Sequence, residues 1–263
     1  MRFSSQEDKV PGKDIREKLS RLEEYGYEGI ELWGRPTLGV QLHELKQAFS
    51  TSRVSPSAIC SGYSGDLLAA EREKREEAVR GVVERLKWAN DLGAVGVIVV
   101  PTFGPPKVSD LSPLFEDQRE LEEKILLREL KEMARTAEDL GPKVLLEPLN
   151  RYETHFMNRL EQAVSVCDQL GSEGVKVMAD YFHMSIEESH IEESLERYSA
   201  YIHHVHLADS NRLLPGYGHT DFSSLRVLKA AGYKHYLSLE CGVPGNPDVE
   251  LPKALNYLKS YLK

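Results

Sequence analysis

The chain has 263 residues, 41% of them hydrophobic and 29% charged, with a formal net charge of −9. That composition excludes a disordered chain, and no apolar run is long enough to span a bilayer. The acidic balance argues against a nucleic-acid binder held by phosphate contacts. The three scattered cysteines, Cys60, Cys167 and Cys241, form neither a disulfide framework nor a paired-cysteine zinc motif.

Met1 to Glu7 contains no apolar signal core, so a cytoplasmic location is expected. Residues 2–4 read as a first strand and 13–25 as a helix, with Ile15, Leu19 and Leu22 at helical spacing. A second strand follows at 29–32, a helix at 42–49 and a third strand at 55–60. The charged stretch 67–92 reads as a long helix carrying Val79, Val82, Val83, Leu86 and Trp88. Residues 95–100 are nearly all β-branched and bounded by Pro101, the pattern of a buried strand. A Pro-rich loop and a helix at 117–140 come next. Strands at 143–147, 175–180, 203–208 and 235–240 then alternate with helices at 159–170, 186–198, 222–231 and 251–262.

Eight strand–helix units across residues 1–263, with no break in composition, predict a single-domain (β/α)8 TIM barrel. The competing architecture is an open doubly wound sheet. Its dinucleotide-binding version is not expected, because the first strand–helix turn contains no Gly-x-Gly-x-x-Gly.

Four polar residues each close an apolar run in the second half: Glu147, Asp180, His206 and Glu240. A carboxylate at the end of a buried strand is costly unless it is paired or bound to a cation. The intervals between the four are 33, 26 and 34 residues, close to the roughly 30 residues per unit of a (β/α)8 barrel. All four then stand at one height on strands five to eight, at the strand ends where such barrels gather function. Three carboxylates and an imidazole suit a hard or borderline divalent cation: Mn²⁺ first, then Mg²⁺, Co²⁺ or Zn²⁺. Such an ion polarises a carbonyl and stabilises an enediolate, while two glutamates remove and return a proton. Taken singly, each residue also has a structural explanation as a cap, an ion-pair partner or a core histidine. His204, on the same strand face as His206, reads as packing one layer below the mouth.

The words around these residues resemble the xylose-isomerase-like TIM-barrel superfamily of sugar isomerases and epimerases. They are Leu146-Glu147-Pro148-Leu149-Asn150-Arg151-Tyr152-Glu153-Thr154, Asp180-Tyr181-Phe182-His183-Met184, and His204 through Arg212 to His219. The branch most similar is the D-tagatose 3-epimerase type of ketose 3-epimerase. The resemblance implies that Glu147, Asp180, His206 and Glu240 bind the metal. It implies that Glu147 and Glu240 exchange the C3 proton of a free ketose on opposite faces of a cis-enediolate. His183 and Arg212 then bind substrate oxygens, and Glu153 makes substrate or supporting contacts. Trp33 and Tyr63, after strands two and three, are candidates to stack on the sugar. A homodimer or homotetramer is implied, with no nucleic-acid or membrane partner.

The same metal site would serve aldose–ketose isomerisation of the hydroxypyruvate isomerase kind, or dehydration of a keto-polyol. An endonuclease IV-type phosphodiesterase shares the barrel, but neither the nine histidines as distributed nor the acidic charge supports it. A catalytically silent binding subunit is argued against by the intact Glu147 and Glu240.

Overall fold

Eight parallel strands close into a ring in chain order: β1 (Arg2–Gln6), β2 (Gly29–Trp33), β3 (Ser55–Cys60), β4 (Gly96–Val99), β5 (Lys143–Leu146), β6 (Val175–Asp180), β7 (Ile202–Leu207) and β8 (Tyr236–Leu239). Arg2 pairs with Tyr236, which joins the first strand to the last. This computed structural model describes residues 1–263. Nine helices surround the ring: α1 (Ile15–Tyr25), α2 (Pro36–Phe49), α3 (Arg72–Leu92), α4 (Gln118–Leu140), α5 (Leu160–Leu170), α6 (Tyr181–Glu187), α7 (Ile191–Tyr198), α8 (Leu225–Ala230) and α9 (Pro247–Ser260).

Strand side chains alternate between the helix layer and the barrel interior. Outward residues such as Ile30, Val97, Val99, Leu146, Val177, Val205 and Leu237 belong to one continuous core with the helices. The interior is divided. Ala58, Cys60, Ile98, Leu145 and Met178, from β3 to β6, make a small apolar plug. The opposite wall, from β1, β2, β7 and β8, is lined by buried Ser4, Gln6, Glu31, His204, His206 and Ser238. That polar wall positions the site.

The strand–helix alternation matches the sequence reading, with local differences in bounds: α2 begins at Pro36 rather than 42, and α3 at Arg72 rather than 67. The first strand continues to Gln6, because Ser4 and Gln6 belong to the polar wall and are buried there. The helix expected at 186–198 is interrupted. Asp180 caps α6 directly after β6, and Glu188 then turns extended, its carboxylate accepting from the Leu160 N–H and the Ser194 hydroxyl. The last helix starts earlier, at Pro247, whose fixed φ suits the first helical turn behind the Asn246 cap.

Candidate active site

Glu147 stands just past β5, Asp180 ends β6, His206 is next to last in β7 and Glu240 stands just past β8. Asp180 lies directly opposite His206 in the β6–β7 register. One potential ligand atom from each of the four lies within 4.8 Å of the others. His206 Nδ1 is 3.2 Å from Glu240 Oε2, 3.6 Å from Asp180 Oδ2 and 3.7 Å from Glu147 Oε1.

Asp180 divides its carboxylate between two tasks. Oδ1 accepts from the backbone N–H groups of Phe182 and His183, at 2.7 and 3.2 Å, and so caps α6. Oδ2 is buried with no hydrogen-bond partner and faces the cluster. His183, one turn along, receives the backbone N–H of Asn150 on its Nδ1 at 3.2 Å. A ring nitrogen that accepts carries no proton, so the proton of the neutral ring sits on Nε2. That Nε2 is buried and unpartnered, 3.8 Å from Asp180 Oδ2 and 4.0 Å from Glu147 Oε1. It presents an N–H donor at the edge of the cluster.

Arg212 approaches from the β7–α8 loop. Its Nη1 donates to Glu153 Oε1 at 2.8 Å, and its Nη2 to Glu240 Oε2 at 3.4 Å. The guanidinium lies 4.8 Å from the centre of the Phe182 ring. Its backbone holds φ +59°, where a residue with a Cβ loses on the order of 1 kcal/mol. The turn is fixed by Arg212 N–H to the Asp209 carbonyl and Gly242 N–H to the Arg212 carbonyl, both 2.8 Å. Glu153 also accepts from the Asn150 amide at 2.9 Å, so Asn150 links His183 to the Glu153–Arg212 pair.

Two loops brace this side of the mouth. The Pro-rich loop after β4 meets the β5–α5 loop, where the Gly104 N–H donates to the Glu153 carbonyl at 2.7 Å. His155 completes the brace, with Nδ1 2.8 Å from the Gly104 carbonyl and Nε2 2.8 Å from buried Glu122 Oε2.

Electrostatics separate the members of the cluster. Burial raises the pKa of Glu147. Burial also opposes charge on Asp180, but His183 and His206 outweigh it and hold that carboxyl at about 2. For His206 burial favours the neutral ring, and Glu31 and Glu240 together push its pKa well above the ordinary value. Arg212 is likewise partly desolvated, yet Glu240 and Asp180 keep it cationic.

The residues fit a divalent cation. Asp180 Oδ2 and His206 Nδ1 are buried acceptor positions without hydrogen-bond partners, aimed at one point beside Glu147 Oε1 and Glu240 Oε2. Three carboxylates confined this closely repel one another unless positive charge lies between them. Oxygen ligands with one imidazole suit a hard or borderline ion.

A family described as xylose isomerase-like TIM barrel matches residues 19–261. This chain belongs to the xylose isomerase-like TIM barrel family. One relative in that family is the 3-dehydro-D-guloside 4-epimerase of Escherichia coli strain K12, 28% identical over 247 residues, 91% of this chain and 92% of that one. A D-psicose 3-epimerase of Enterocloster bolteae is 37% identical, but over 109 residues, 41% of this chain and 36% of its own length. Among solved structures, apo 3-keto-D-glucoside 4-epimerase from E. coli superposes with a TM-score of 0.89 at 27% identity, covering 99% of both chains.

Within this family barrel the structure brings Glu147, Asp180, His206 and Glu240 together, with His183, Arg212 and Glu153 around them. Trp33 and Tyr63 make no hydrogen bond to that group. Trp33 packs on the apolar plug, and its backbone N–H donates to Glu7 Oε1. Tyr63 donates its hydroxyl to the Val100 carbonyl at 3.3 Å and packs against the outer core.

Three residues escaped the sequence reading. Gln6 is buried at the end of β1, with Nε2 2.9 Å from Glu31 Oε1 and 2.8 Å from Glu240 Oε1. Glu31 is fully buried in β2 and accepts from His204 Nε2 at 2.7 Å and from His206 Nε2 at 3.0 Å. Asn150 is the third. His204 is thus a hydrogen-bonding member of the polar wall as well as a packing residue. Glu31 carried a usable signal, a carboxylate directly after apolar Ile30 in a buried strand. Gln6 carried none, since its carboxylate partners are far away in sequence, and Asn150 lies inside the 146–154 segment but meets His183 only across 33 residues.

Proposed function

We propose that this chain epimerises a keto sugar at the carbon next to its carbonyl, with Glu147 and Glu240 as the two proton carriers. The observation that carries the proposal is the placement of these two carboxylates, just past β5 and β8, on either side of a buried donor set of Asp180 and His206. Glu147, Asp180, His206 and Glu240 would hold a divalent cation, Mn²⁺ first among the candidates. When bound, it would act as a Lewis acid on the substrate carbonyl.

The chain's own groups supply the rest. A proton next to a ketone is acidic only if charge developing on the oxygen is stabilised. The His183 Nε2–H and the Arg212 guanidinium would donate to that oxygen and its neighbour. One glutamate removes the proton and gives an enediolate of the sugar. Return of a proton by the other glutamate, from the opposite face, inverts the carbon. Return from the same face regenerates the substrate.

The ketone's position decides which carbon inverts. In a free 2-ketose it is C3, the reading favoured by the local words shared with ketose 3-epimerases. In a 3-keto-glycoside it is C4, the reading favoured by a 4-epimerase relative aligned along nearly the whole chain. The chemistry at the α-carbon is the same, and the length of the alignment leads us to place the keto-glycoside first. The test is incubation of the Mn²⁺-supplemented protein with a methyl 3-keto-D-glucoside and, separately, with a panel of free ketoses, the products being identified by NMR. C4 inversion of the glycoside supports the first reading, and C3 inversion of a ketose the second. Migration of the carbonyl, or loss of water, would replace both with an isomerase or a dehydratase.

A further inference from the structure

We propose that Gln6 is a positioning residue that ties the proton-carrying Glu240 to the imidazole of His206 through Glu31, an inference that rests on the epimerase reading above. Gln6 is 1% exposed, at the last position of β1. Its amide nitrogen has two hydrogens and faces two carboxylate oxygens, Glu31 Oε1 at 2.9 Å and Glu240 Oε1 at 2.8 Å. The flipped amide would set an oxygen against both carboxylates, so the network fixes its orientation.

Each of these bonds removes a freedom. With Oε1 of Glu240 held by Gln6, the other oxygen, Oε2, is the one that faces His206 Nδ1 and Arg212. With Oε1 of Glu31 held by the same amide, the Glu31 carboxylate is fixed where it accepts from both His204 and His206. Donation of the His206 Nε2–H to Glu31 sets the ring so that Nδ1 points into the cluster. One amide therefore sets the registry between a proton carrier just past β8 and a ligand imidazole on β7. Glu147 just past β5 has no such clamp, so the two faces of the reaction depend on Gln6 unequally.

The test uses Gln6→Met, which keeps the length and removes the donors. Gln6→Asn keeps an amide but is one methylene too short to reach both carboxylates. Glu31→Gln serves as comparator, and circular dichroism checks the fold of each. Visible spectra of the Co²⁺-loaded proteins report the ligand arrangement, and Co²⁺ titration reports affinity. Both Gln6 variants are expected to alter the Co²⁺ spectrum while weakening Co²⁺ less than Glu31→Gln does. In D₂O their inversion rate is expected to fall about 10–100-fold. The epimer deprotonated by Glu147 should still take up deuterium without inverting, whereas exchange from the Glu240 face should slow.

Should Gln6→Met or Gln6→Asn show the wild-type Co²⁺ spectrum and invert at the wild-type rate, Gln6 is only a buried spacer. Equal slowing of both faces also overturns the proposal. If the wild type exchanges no proton with any keto sugar, the epimerase reading fails, and the Co²⁺ spectra alone decide on Gln6. An unaltered spectrum then overturns its role and an altered one supports it.

Discussion

Asp180 shows how one side chain can satisfy a structural and a chemical demand together. Its Oδ1 caps α6 and its Oδ2 faces the cluster. Asp180→Asn keeps a capping oxygen and removes the charge. The variant is therefore expected to remain folded yet bind divalent metal at least about tenfold more weakly, as isothermal titration would show. Equal affinity would remove Asp180 from the proposed ligand set. His206 adds a pH dependence. Glu31 and Glu240 raise its pKa, so below that raised value a proton occupies the atom that would bind the ion. Metal affinity should rise with pH up to that pKa, and binding should release protons, measurable as a buffer-dependent binding enthalpy. The four cluster residues were legible in the sequence because each breaks an apolar run with a group that burial penalises. Gln6 and Asn150 were not, because neither closes an apolar strand, and the Gln6–Glu240 and Asn150–His183 bonds span 234 and 33 residues.

At the scale of elements, β1 is the informative case. A strand reading Arg-Phe-Ser-Ser-Gln has a weak sequence signal, yet it closes the barrel because half of the interior is polar. The strands facing the apolar plug, such as β4, were readable from their β-branched runs. The opposite ends of β7 and β8 offer a test of barrel stability. His203 and His235 stack there with ring centres 4.6 Å apart. Burial first, and His235 second, push His203 down to about 4. The unfolded chain takes up this proton near pH 6.5, whereas the folded barrel excludes it until about pH 4. The stability is thus fully present above about pH 6.5 and falls as pH drops toward 4. His203→Gln is expected to flatten the decline in Tm between about pH 7 and pH 4.5. An unchanged decline would mean that other groups control acid unfolding.

For the whole molecule, the alternation of eight strand–helix units made the closed barrel legible, because periodicity is local and the closure rule is general. The substrate was not legible, since it depends on loop shapes that long-range contacts determine. A cation bound by four strands links a large part of the ring and should stabilise it. Mn²⁺ at about 100 times its Kd is expected to add roughly 2.7 kcal/mol, or about 5–10 °C in Tm for a chain of this size. EDTA should abolish the gain, and Asp180→Asn should lack it. The measurement that tests the central claim most directly is NMR of a keto sugar incubated in D₂O with the metal-loaded protein, its Glu147→Gln variant and its Glu240→Gln variant. The two-carboxylate account predicts that the wild type inverts the α-carbon and places deuterium there. Each variant should lose inversion, while the remaining glutamate still exchanges the proton of one epimer. Inversion at the wild-type rate by either variant, or inversion without deuterium at that carbon, would contradict it.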